Sequence, residues 1–568
     1  RPEQRAIVEE FFELFKTPWE FWQRGRDYGV VIATSDDVAD VDASVLLLYT
    51  PQATTSDRQN GIQVDASVGD DWVTVNGTRL PIYGRLTTFT ETSGGARVLT
   101  TASNRIAGLR TASRGRVTLR IGYDLFDEVK FLLSTGQPVE HAHIPTLDAH
   151  IAMLREWILR AGIPVLEIPP SPAGHPFAVC LTHDIDFVGI RRHKLDHSMW
   201  GFVYRATFGA LGRFFRGRLR FNRLRDNWRA VAALPFVYLG WARDFWDPFE
   251  WYLREEHGLP STYFLIPYKG RPGERVGGRH AARRATAYDV TDIAEWTSTL
   301  MNAGCEIGVH GIDAWHDAAK GAGERARVAT ASGTAAAGIR MHWLLHDDRT
   351  PATLEAAGYA YDSTSGYNDT VGYRNGTAQV FRPDGAYSLL ELPLHIQDGA
   401  LFYTGKMNLS EQEADERCQS ILDNANRFGG VLTLLWHDRS HAPERFWGDF
   451  YVRLIERLKS WNPWFGTAGQ VVEWYRKRRE VRFEAAASGD GRSALLQYAG
   501  EEIVPPLVIR LYEPADEDRG PSQTPPSSRF VDMTWNGRTG DVPRDVLGSL
   551  RRNSLEISLP HRSELLRL

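Results

Sequence analysis

The chain has 568 residues, of which 42% are hydrophobic and 24% are charged, and this balance excludes a disordered or fibrous protein. A chain of this length is expected to form two to four domains. Its formal net charge of −5 gives no general attraction to nucleic acid, so no nucleic-acid partner is expected. The three cysteines form no disulfide framework and no zinc-thiolate spacing, which favours a reducing, cytoplasmic location. No uncharged apolar run reaches about 18 residues, so no transmembrane helix is predicted.

Residues 1–172 are predicted to form a mixed α/β domain. The first helix is expected over residues 2–16, where Ile7, Phe11 and Phe15 recur on one face. Five short strands are predicted at 29–33, 44–49, 72–75, 97–101 and 116–121, and a helix follows at 148–161. No pattern in this part indicates a particular chemistry.

Strands and helices alternate through residues 173–480. The apolar run 177–181 follows a Pro-rich segment and predicts a buried strand, and further strands are expected at 261–266, 305–310, 338–343, 361–364 and 431–436. Helices are expected between them, including one at 410–427 that starts with a Ser-x-x-Glu capping box. This alternation predicts parallel strand pairing in a barrel-like or open α/β sheet.

Two segments depart from the alternation. Residues 191–246 interrupt it as a helical insertion, and within them 201–230 contain eight Arg against one Asp, interleaved with aromatic residues. The insertion is either a basic amphipathic hairpin in weak peripheral contact with an anionic membrane surface, on the inner membrane face, or a set of helices that cover the sheet. Residues 481–568 are predicted to form a small β-rich domain, with strands at 507–512, 530–535 and 555–559 and a charged loop at 513–528.

Polar side chains follow several predicted strands at the point where each strand ends. Asp184 and Asp186 come directly after the first strand, and the later strand-end residues are His310, Arg340, Asp362 and His437. In parallel α/β sheets, the carboxyl ends of the strands carry ligands and catalytic groups. Two carboxylates this close repel each other, and a metal ion would relieve the repulsion. One Asp could then bind the metal while the other stays free as a general base.

The order of these motifs resembles that of the polysaccharide deacetylases, the family 4 carbohydrate esterases with a NodB homology domain, over about residues 177–479. The segment from Thr182 to Asp186 is similar to the family's Thr-Phe-Asp-Asp motif, with one residue inserted between the carboxylates. Leu434-Leu435-Trp436-His437 matches Leu-x-x-His in full. The segments that begin at His310 and at Arg340 match His-Ser/Thr-x-x-His and Arg-x-Pro-Tyr in part. The resemblance implies an α/β fold with a NodB-type distorted (β/α) barrel for residues 173–480.

The resemblance also implies catalytic roles. Asp184 would be the general base, and Arg340 would hold it ionised and oriented through charge-assisted hydrogen bonds. His437 would protonate the leaving nitrogen, with Asp362 as its orienting partner.

A divalent metal ion is the cofactor that the resemblance implies, with Asp186 and His310 as two of its ligands. Zn suits such oxygen and nitrogen ligands, and Co, Mn and Ni also fit. The fourth residue after His310 is Ala314, which cannot bind a metal, so the third ligand is open between His316 and Asp313. We expect His316, because the resemblance calls for an imidazole.

Three aromatic residues are candidates for substrate binding, namely Trp343, Trp436 and Tyr367. Core packing is the alternative explanation for the two Trp residues, and an ordinary loop is the alternative for the segment that contains Tyr367. The function expected from the resemblance is metal-dependent removal of an N-acyl group from an amino sugar. The substrate would be a bacterial-type surface polysaccharide or its precursor, a carbohydrate or a glycolipid. The alternatives are an inactive, carbohydrate-binding or scaffold protein on the same fold, and a hydrolase of a non-sugar amide.

Overall fold

The chain forms two compact units in the computed structural model. Unit 1 comprises Arg1–Gly174, Asn375–Thr377 and Trp474–Leu568, and unit 2 comprises His175–Arg374 and Ala378–Glu473. The structure describes residues 2–558 except 39, 66–71, 91–94, 114, 279–280, 486–492, 515–529, 536–549 and 552–553. The domain boundaries drawn from the sequence at 172 and 480 stay predictions. In the described residues, no helix has both the length and the apolar character needed to cross a membrane.

The amino-terminal part of unit 1 combines helices with a mixed sheet. A 3-10 turn (Pro2–Gln4) leads into α1 (Arg5–Phe15), which buries Phe11 and Phe15 as its sequence period predicts. The other helices are α2 (Thr55–Gln59), α3 (Leu125–Ser134), the 3-10 turn Val139–His141 and α4 (Thr146–Arg160). The strands are β1 (Asp27–Ala33), β2 (Asp42–Tyr49), β3 (Gln63–Asp65), β4 (Trp72–Val75), β5 (Thr78–Pro81), β6 (Thr88–Thr90), β7 (Ala96–Thr101), β8 (Ile106–Ser113), β9 (Arg116–Ile121) and β10 (Val165–Glu167). The main sheet runs in the order β1-β2-β9-β8-β7-β4-β5.

Unit 2 is built on a nine-stranded sheet in which every named strand pair is parallel. Its strands are β11 (Ala178–Ile185), β12 (Ser261–Leu265), β13 (Glu306–Gly311), β14 (Gly338–Met341), β15 (Tyr361–Asp362), β16 (Leu390–Glu391), β17 (Ile396–Gln397), β18 (Val431–Leu435) and β19 (Trp464–Phe465). The order is β16-β15-β14-β13-β12-β11-β18-β17, and β19 pairs with β11. All eight residues of β11 are buried, as expected for a central strand covered on both faces.

Helices cover the sheet of unit 2 and contribute to one large apolar core. They are α5 (His197–Tyr204), α6 (Ala210–Phe215), α7 (Phe221–Tyr238), α8 (Phe249–Glu255), α9 (Ala294–Asn302), α10 (Ala318–Ser332), α11 (Thr350–Ala356), α12 (Asp398–Phe402), α13 (Glu411–Phe428) and α14 (Gly448–Ser460). A π-helical turn (Arg205–Gly209) joins α5 to α6, and 3-10 turns lie at Ile190–Arg192, Ala281–Arg284, Val290–Ile293 and His342–Leu344. The capping box predicted at Ser410 forms with Glu413, because each side chain accepts a hydrogen bond from the other's backbone N–H.

The carboxyl-terminal segment begins with α15 (Ala468–Glu480) and continues as strands. These are β20 (Arg482–Ala485), β21 (Ser493–Gln497), β22 (Leu507–Tyr512), β23 (Phe530–Trp535), β24 (Leu550–Arg551) and β25 (Ser554–Ser558). One sheet has the order β10-β22-β23 and another has the order β20-β21-β25-β24. Because β10 comes from the amino-terminal part, the two ends of the chain share a sheet within unit 1. Of the loop predicted at 513–528, residues 515–528 lie outside the described residues.

Candidate active site

The strand-end residues meet at one edge of the sheet in unit 2, because parallel strands present all their carboxyl ends on the same side. Asp184 is the penultimate residue of β11, and Asp186 follows that strand directly. His310 of β13 pairs in register with Arg340 of β14, and His437 follows β18 by two residues. The sheet therefore brings together side chains from distant segments of the chain.

Asp186, His310 and His342 form a group that could hold a metal ion. Their ligand atoms lie within 4.8 Å of one another. Oδ1 of Asp186 is 3.4 Å from Nε2 of His310 and 3.2 Å from Nε2 of His342. Nδ1 of His310 lies 3.0 Å from the Arg340 carbonyl oxygen, which can only accept a hydrogen bond. That contact fixes the proton on Nδ1 and leaves the lone pair of Nε2 directed at the group, as a metal ligand requires.

The state of these side chains also fits a divalent cation. Oδ1 of Asp186 is buried and has no hydrogen-bond partner among the described residues, and such an orphaned atom is costly unless something compensates it. Burial by itself would raise the pKa of Asp186, yet His342 and His310 hold that pKa well below its usual range. Burial lowers the pKa of His342 to about 3, so its imidazole is neutral at physiological pH. One carboxylate oxygen and two imidazole nitrogens match the ligand types of Zn and related ions.

The residues expected to supply the third ligand lie elsewhere, and that expectation needs correction. After His310 the chain stays extended through Gly311 and then turns, and the next helix starts only at Ala318. Nε2 of His316 lies 3.1 Å from Oδ1 of Asp313, so the two candidates contact each other and not the group around Asp186. His342 is the third member of the group with Asp186 and His310. It lies two residues after Arg340, directly beyond β14, the strand that pairs with β13.

The Asp184 carboxylate is held by Arg340, in the arrangement the sequence predicts for this pair. Nη1 of Arg340 donates to Oδ1 of Asp184 at 3.0 Å and to Oγ1 of Thr182 at 2.8 Å. The rest of the guanidinium donates to the carbonyl and the hydroxyl of Ser363, at 2.9 and 2.8 Å. Oδ2 of Asp184 lies 3.8 Å from Nε2 of His310, which places it on the side of the candidate metal group. The fully buried Arg340 thus fixes one oxygen of Asp184 and leaves the other toward the site.

His437 is oriented by Asp398 and not by the predicted Asp362. Nδ1 of His437 lies 2.5 Å from Oδ1 of Asp398, and the backbone N–H of His437 donates to Oδ2 at 2.9 Å. Ser440 donates its hydroxyl to the same Oδ2. Burial by itself would lower the pKa of His437, but the Asp398 carboxylate, together with the charges of Asp186 and Asp184, raises it to about 9. The imidazole is therefore protonated at neutral pH, with Nε2–H available as a donor.

Asp362 belongs to a separate buried group. Its carboxylate accepts a hydrogen bond from the Thr364 hydroxyl and lies beside Glu391, whose pKa burial and the charge of Asp362 raise. Burial raises the pKa of Asp362 to about 6. Asp362 of β15 pairs in register with Ile339 of β14, beside Arg340. Among the described residues, Asp362 makes no contact with His437.

One of the three aromatic candidates lines the cavity at the site. Trp343 is 39% exposed and has a φ of 67°, a conformation that turns the chain directly after His342. Trp436 is fully buried and stacks on Phe450 and Tyr451, so it is a core residue. Tyr367 is also buried and does not line the cavity. The expectation of sugar contact therefore remains for Trp343 alone.

The cavity beside Asp186, His310 and His342 has a volume of about 180 Å³. That is several times the volume of a water molecule, which is about 30 Å³ in the liquid. Its cationic side chains belong to Lys406, Arg439 and Arg445. The remaining lining residues are Asp184, Asp186, His310, His342, Trp343, Leu344, Asn368, Gln397, Gly399, Tyr403, Leu435, His437 and Asp438.

Sequence reasoning missed two residues of the site, His342 and Asp398. His342 stands two positions after Arg340, which is the same spacing as Asp184 and Asp186 on the first strand. Asp398 follows the two-residue strand β17, which was not predicted because so short a strand carries no period. As the first residue of helix α12, directly after β17, it occupies a strand-end position like the others.

No family model matches the sequence, and no curated protein matches it. Solved structures do match. One is titled a "putative polysaccharide deacetylase" from Mycobacterium smegmatis, with 18% identity over 55% of this chain and 95% of that chain at a TM-score of 0.32. A family 4 carbohydrate esterase from Streptomyces lividans matches at 12% identity over 52% and 94%, with a TM-score of 0.22. A family 4 acetyl xylan esterase from Clostridium thermocellum matches at 12% identity over 52% and 90%, also with a TM-score of 0.22.

The fold of unit 2 follows from its own architecture together with the motifs. Its sheet is parallel throughout and covered by helices. The motif residues occur along the chain in the order that the resemblance requires, and they converge at the carboxyl edge of this sheet. Unit 2 therefore has the fold of a NodB-type polysaccharide deacetylase domain.

Proposed function

We propose that unit 2 is a metal-dependent hydrolase that removes an N-acyl group from an amino sugar of a surface polysaccharide or of its precursor. The observation that carries the proposal is the convergence of three parts in one cavity. These parts are the Asp186, His310 and His342 group, the Asp184 carboxylate with one oxygen free, and the protonated His437.

Amide hydrolysis needs an activated water, stabilisation of the tetrahedral oxyanion and a proton for the leaving nitrogen. A bound divalent ion would acidify a water and polarise the acyl carbonyl. Asp184 is placed to accept a proton from the attacking water at Oδ2, because Arg340 binds its Oδ1 and leaves Oδ2 toward the site. His437 donates from Nε2 to the nitrogen of the leaving amine, while Asp398 stabilises the imidazolium. The site thus holds a carboxylate placed to accept a proton and an imidazolium placed to donate one, as this reaction requires.

The ligand set is tested by measuring bound metal after purification and exchange into Zn, Co, Mn or Ni. His342→Ala and Asp186→Asn should lose metal affinity by more than the roughly 10- to 100-fold that loss of an outer partner costs. Two matched controls should keep the metal. Asp184→Asn changes a carboxylate of the same site, and His316→Ala removes a histidine whose Nε2 contacts Asp313 and not the Asp186 group. Retention of metal by His342→Ala together with its loss from His316→Ala would contradict the assignment.

The reaction is tested by acyl release from a panel of N-acetylated sugars, oligosaccharides and non-sugar amides with the metal-loaded protein. Acetate release from sugar amides that Asp184→Asn abolishes supports the proposal. Release from non-sugar amides alone would assign the site to a different substrate class. Stoichiometric metal with no release from any amide would favour a binding protein on the same fold.

A further inference from the structure

The helical insertion of unit 2 is a hairpin with two different faces. We call residues 197–239 the Arg-rich hairpin: its first arm is α5, the π-helical turn and α6, and its second arm is α7. One face is buried in a small apolar cluster to which the hairpin contributes Phe202, Ala206, Ala230, Leu234 and Val237. This inner face packs the hairpin against unit 2.

The outer face is apolar as well, which is unusual for a helix that only covers a sheet. On the first arm, the exposed large side chains recur at helical spacing at Trp200, Tyr204, Phe208 and Phe215, and the last two are 71% and 77% exposed. On the second arm, Phe221, Trp228, Phe236 and Leu239 recur in the same way. Scattered single apolar residues are normal on a surface, but eight that follow two helical stripes indicate an interaction surface.

The two stripes lie side by side. A shallow apolar groove between the arms is lined by Thr207, Phe208, Leu211, Trp228, Val231 and Ala232. Both arms contribute a stripe residue to this groove, so Phe208 and Trp228 belong to one continuous surface. Ring contacts extend the stripes, since Tyr204 lies 6.1 Å from Phe208 between ring centroids.

The charge around this surface is strongly positive. Residues 201–230 contain eight Arg and one Asp. Some of these Arg residues are paired inward, since Arg205 contacts Glu444 and Arg223 contacts Asp449. At the turn between the arms, Arg216, Arg218 and Arg220 are exposed, and none of them has an ion pair with a carboxylate of the described chain. The turn therefore presents guanidinium groups to the solvent beside the aromatic stripes.

We propose that the outer face of the Arg-rich hairpin docks on the surface of a lipid bilayer that carries anionic headgroups. Aromatic side chains lie favourably at the boundary between headgroups and acyl chains, and guanidinium groups bind lipid phosphates. The charge also argues against a second copy of the chain, because a two-fold contact through this face would place the Arg residues of one copy against those of the other. The proposal does not depend on the proposed function, because it uses no residue of the site.

Flotation of the full-length protein with vesicles tests the proposal. The vesicles contain phosphatidylcholine alone or phosphatidylcholine mixed with phosphatidylglycerol, at low and high salt. The protein should float with the mixed vesicles at low salt and bind the neutral ones far more weakly. Replacement of Arg216, Arg218 and Arg220 by Gln should weaken binding to the mixed vesicles by about fivefold per charge, or about 100-fold in total.

Further variants separate the apolar contribution from the charge. A triple Ser variant at Tyr204, Phe208 and Phe215 should lose binding at low and at high salt. Tyr387→Ser and Arg349→Gln, at exposed positions outside the hairpin, should bind like the unchanged protein. The thermal unfolding midpoint of each variant checks that the fold is retained, which we expect because all substituted side chains are exposed.

Several results would overturn the proposal. These are no flotation with mixed vesicles at low salt, equal flotation with neutral vesicles, or hairpin variants that bind like the two controls. A concentration-dependent dimer that the triple Ser variant abolishes, without vesicle binding, would assign the face to a second copy. Salt-sensitive capture by an acidic polypeptide such as polyglutamate, with no binding to vesicles, would assign it to an acidic protein.

Discussion

Asp398→Asn should move the alkaline limb of the activity profile, because Asp398 raises the pKa of His437. That pKa is about 9 in the structure, whereas an unperturbed histidine titrates near 6.5. Asn keeps the size of the side chain and an oxygen that can accept from Nδ1–H, but it removes the negative charge. Burial then dominates, and the pKa should fall to about 6.5 or below, a drop of at least about 2.5 units.

The expected loss of activity depends on pH in a characteristic way. At pH 7.5, the protonated fraction of His437 falls from about 97% to about 9% or less, which predicts roughly tenfold slower turnover from protonation alone. Toward lower pH this difference should shrink, because a growing fraction of His437 is then protonated in the variant as well. A bound metal ion would lower the pKa of His437 in both proteins, so the test uses the difference between them.

The assay is kcat against pH for the metal-loaded protein and for Asp398→Asn. A substrate with a good leaving group provides the control, since it does not need the proton and should show little difference between the two proteins. An alkaline limb at the same pH in both proteins would refute the reasoning. A loss of equal size at every pH would instead assign Asp398 to positioning alone.

Stability gives a readout that is independent of turnover. The folded-state pKa of His437 is raised, so the contact with Asp398 stabilises fully below pH 6.5 and its contribution is lost as the pH rises through about 9. A shift of about 2.5 units corresponds to about 3 kcal/mol. The free energy of unfolding of the metal-free protein should therefore fall over this range in the unchanged protein and stay nearly flat in Asp398→Asn.

Two further predictions concern the scaffold, and urea unfolding measures both. Arg340→Met should lower the free energy of unfolding by about 3 to 5 kcal/mol, because it leaves the buried Asp184 carboxylate without its partner. Adding Asp184→Asn should recover much of this loss. A double variant as unstable as the single one would contradict the argument. Gly338→Ala should destabilise by about 1 to 3 kcal/mol or more, since its Cβ would lie 1.9 Å from Cζ of Tyr361. Gly323→Ala on α10 should instead stabilise by up to about 1 kcal/mol, because its Cβ would make only an ordinary contact, 3.7 Å from Oη of Tyr268. Equal effects at the two glycines would contradict the packing argument.

The longer elements of unit 2 could be predicted from the sequence because their patterns are local. The strands around Leu181, Phe264 and Leu434 are mostly apolar and buried throughout, which is typical of parallel strands covered on both faces. The two-residue strands β16, β17 and β19 could not be predicted, since two residues carry no period. They are held in place by pairing with longer neighbours, which is a tertiary effect.

The site could be predicted where a motif lies on one strand, and not where two distant segments meet. Asp184, Asp186, His310, Arg340 and His437 are strand-end residues that the sheet brings together. Predicting which of these side chains contact each other would have required the pairing register between the strands. His342 and Asp398 reach their positions through neighbouring strands, while His316 and Asp362 are close to the motifs in sequence but face other groups.

The helical insertion stabilises the loop that follows His437. Glu444 and Phe446 have φ values of 78° and 60°, which cost roughly 1–3 kcal/mol each for residues with a side chain. Such strain persists only if neighbouring contacts fix the loop. The Arg-rich hairpin supplies these contacts: the Glu444 N–H donates to Oδ1 of Asn227 at 2.6 Å, and Arg223 lies 4.5 Å above the Phe446 ring.

The same loop carries Arg439 and Arg445, two of the cations in the cavity wall. Arg439 also contacts the base of the insertion, since its guanidinium lies 3.8 Å from the ring centroid of Phe187 and 4.5 Å from that of Trp246. The inner face of the Arg-rich hairpin thus fixes the loop that positions these cations, while the outer face presents its aromatic stripes to the solvent. A hairpin that only covered the sheet would need neither the contacts with the strained loop nor an apolar outer face. The two faces together therefore favour an insertion that both supports the loop carrying Arg439 and Arg445 and presents a separate surface for interaction.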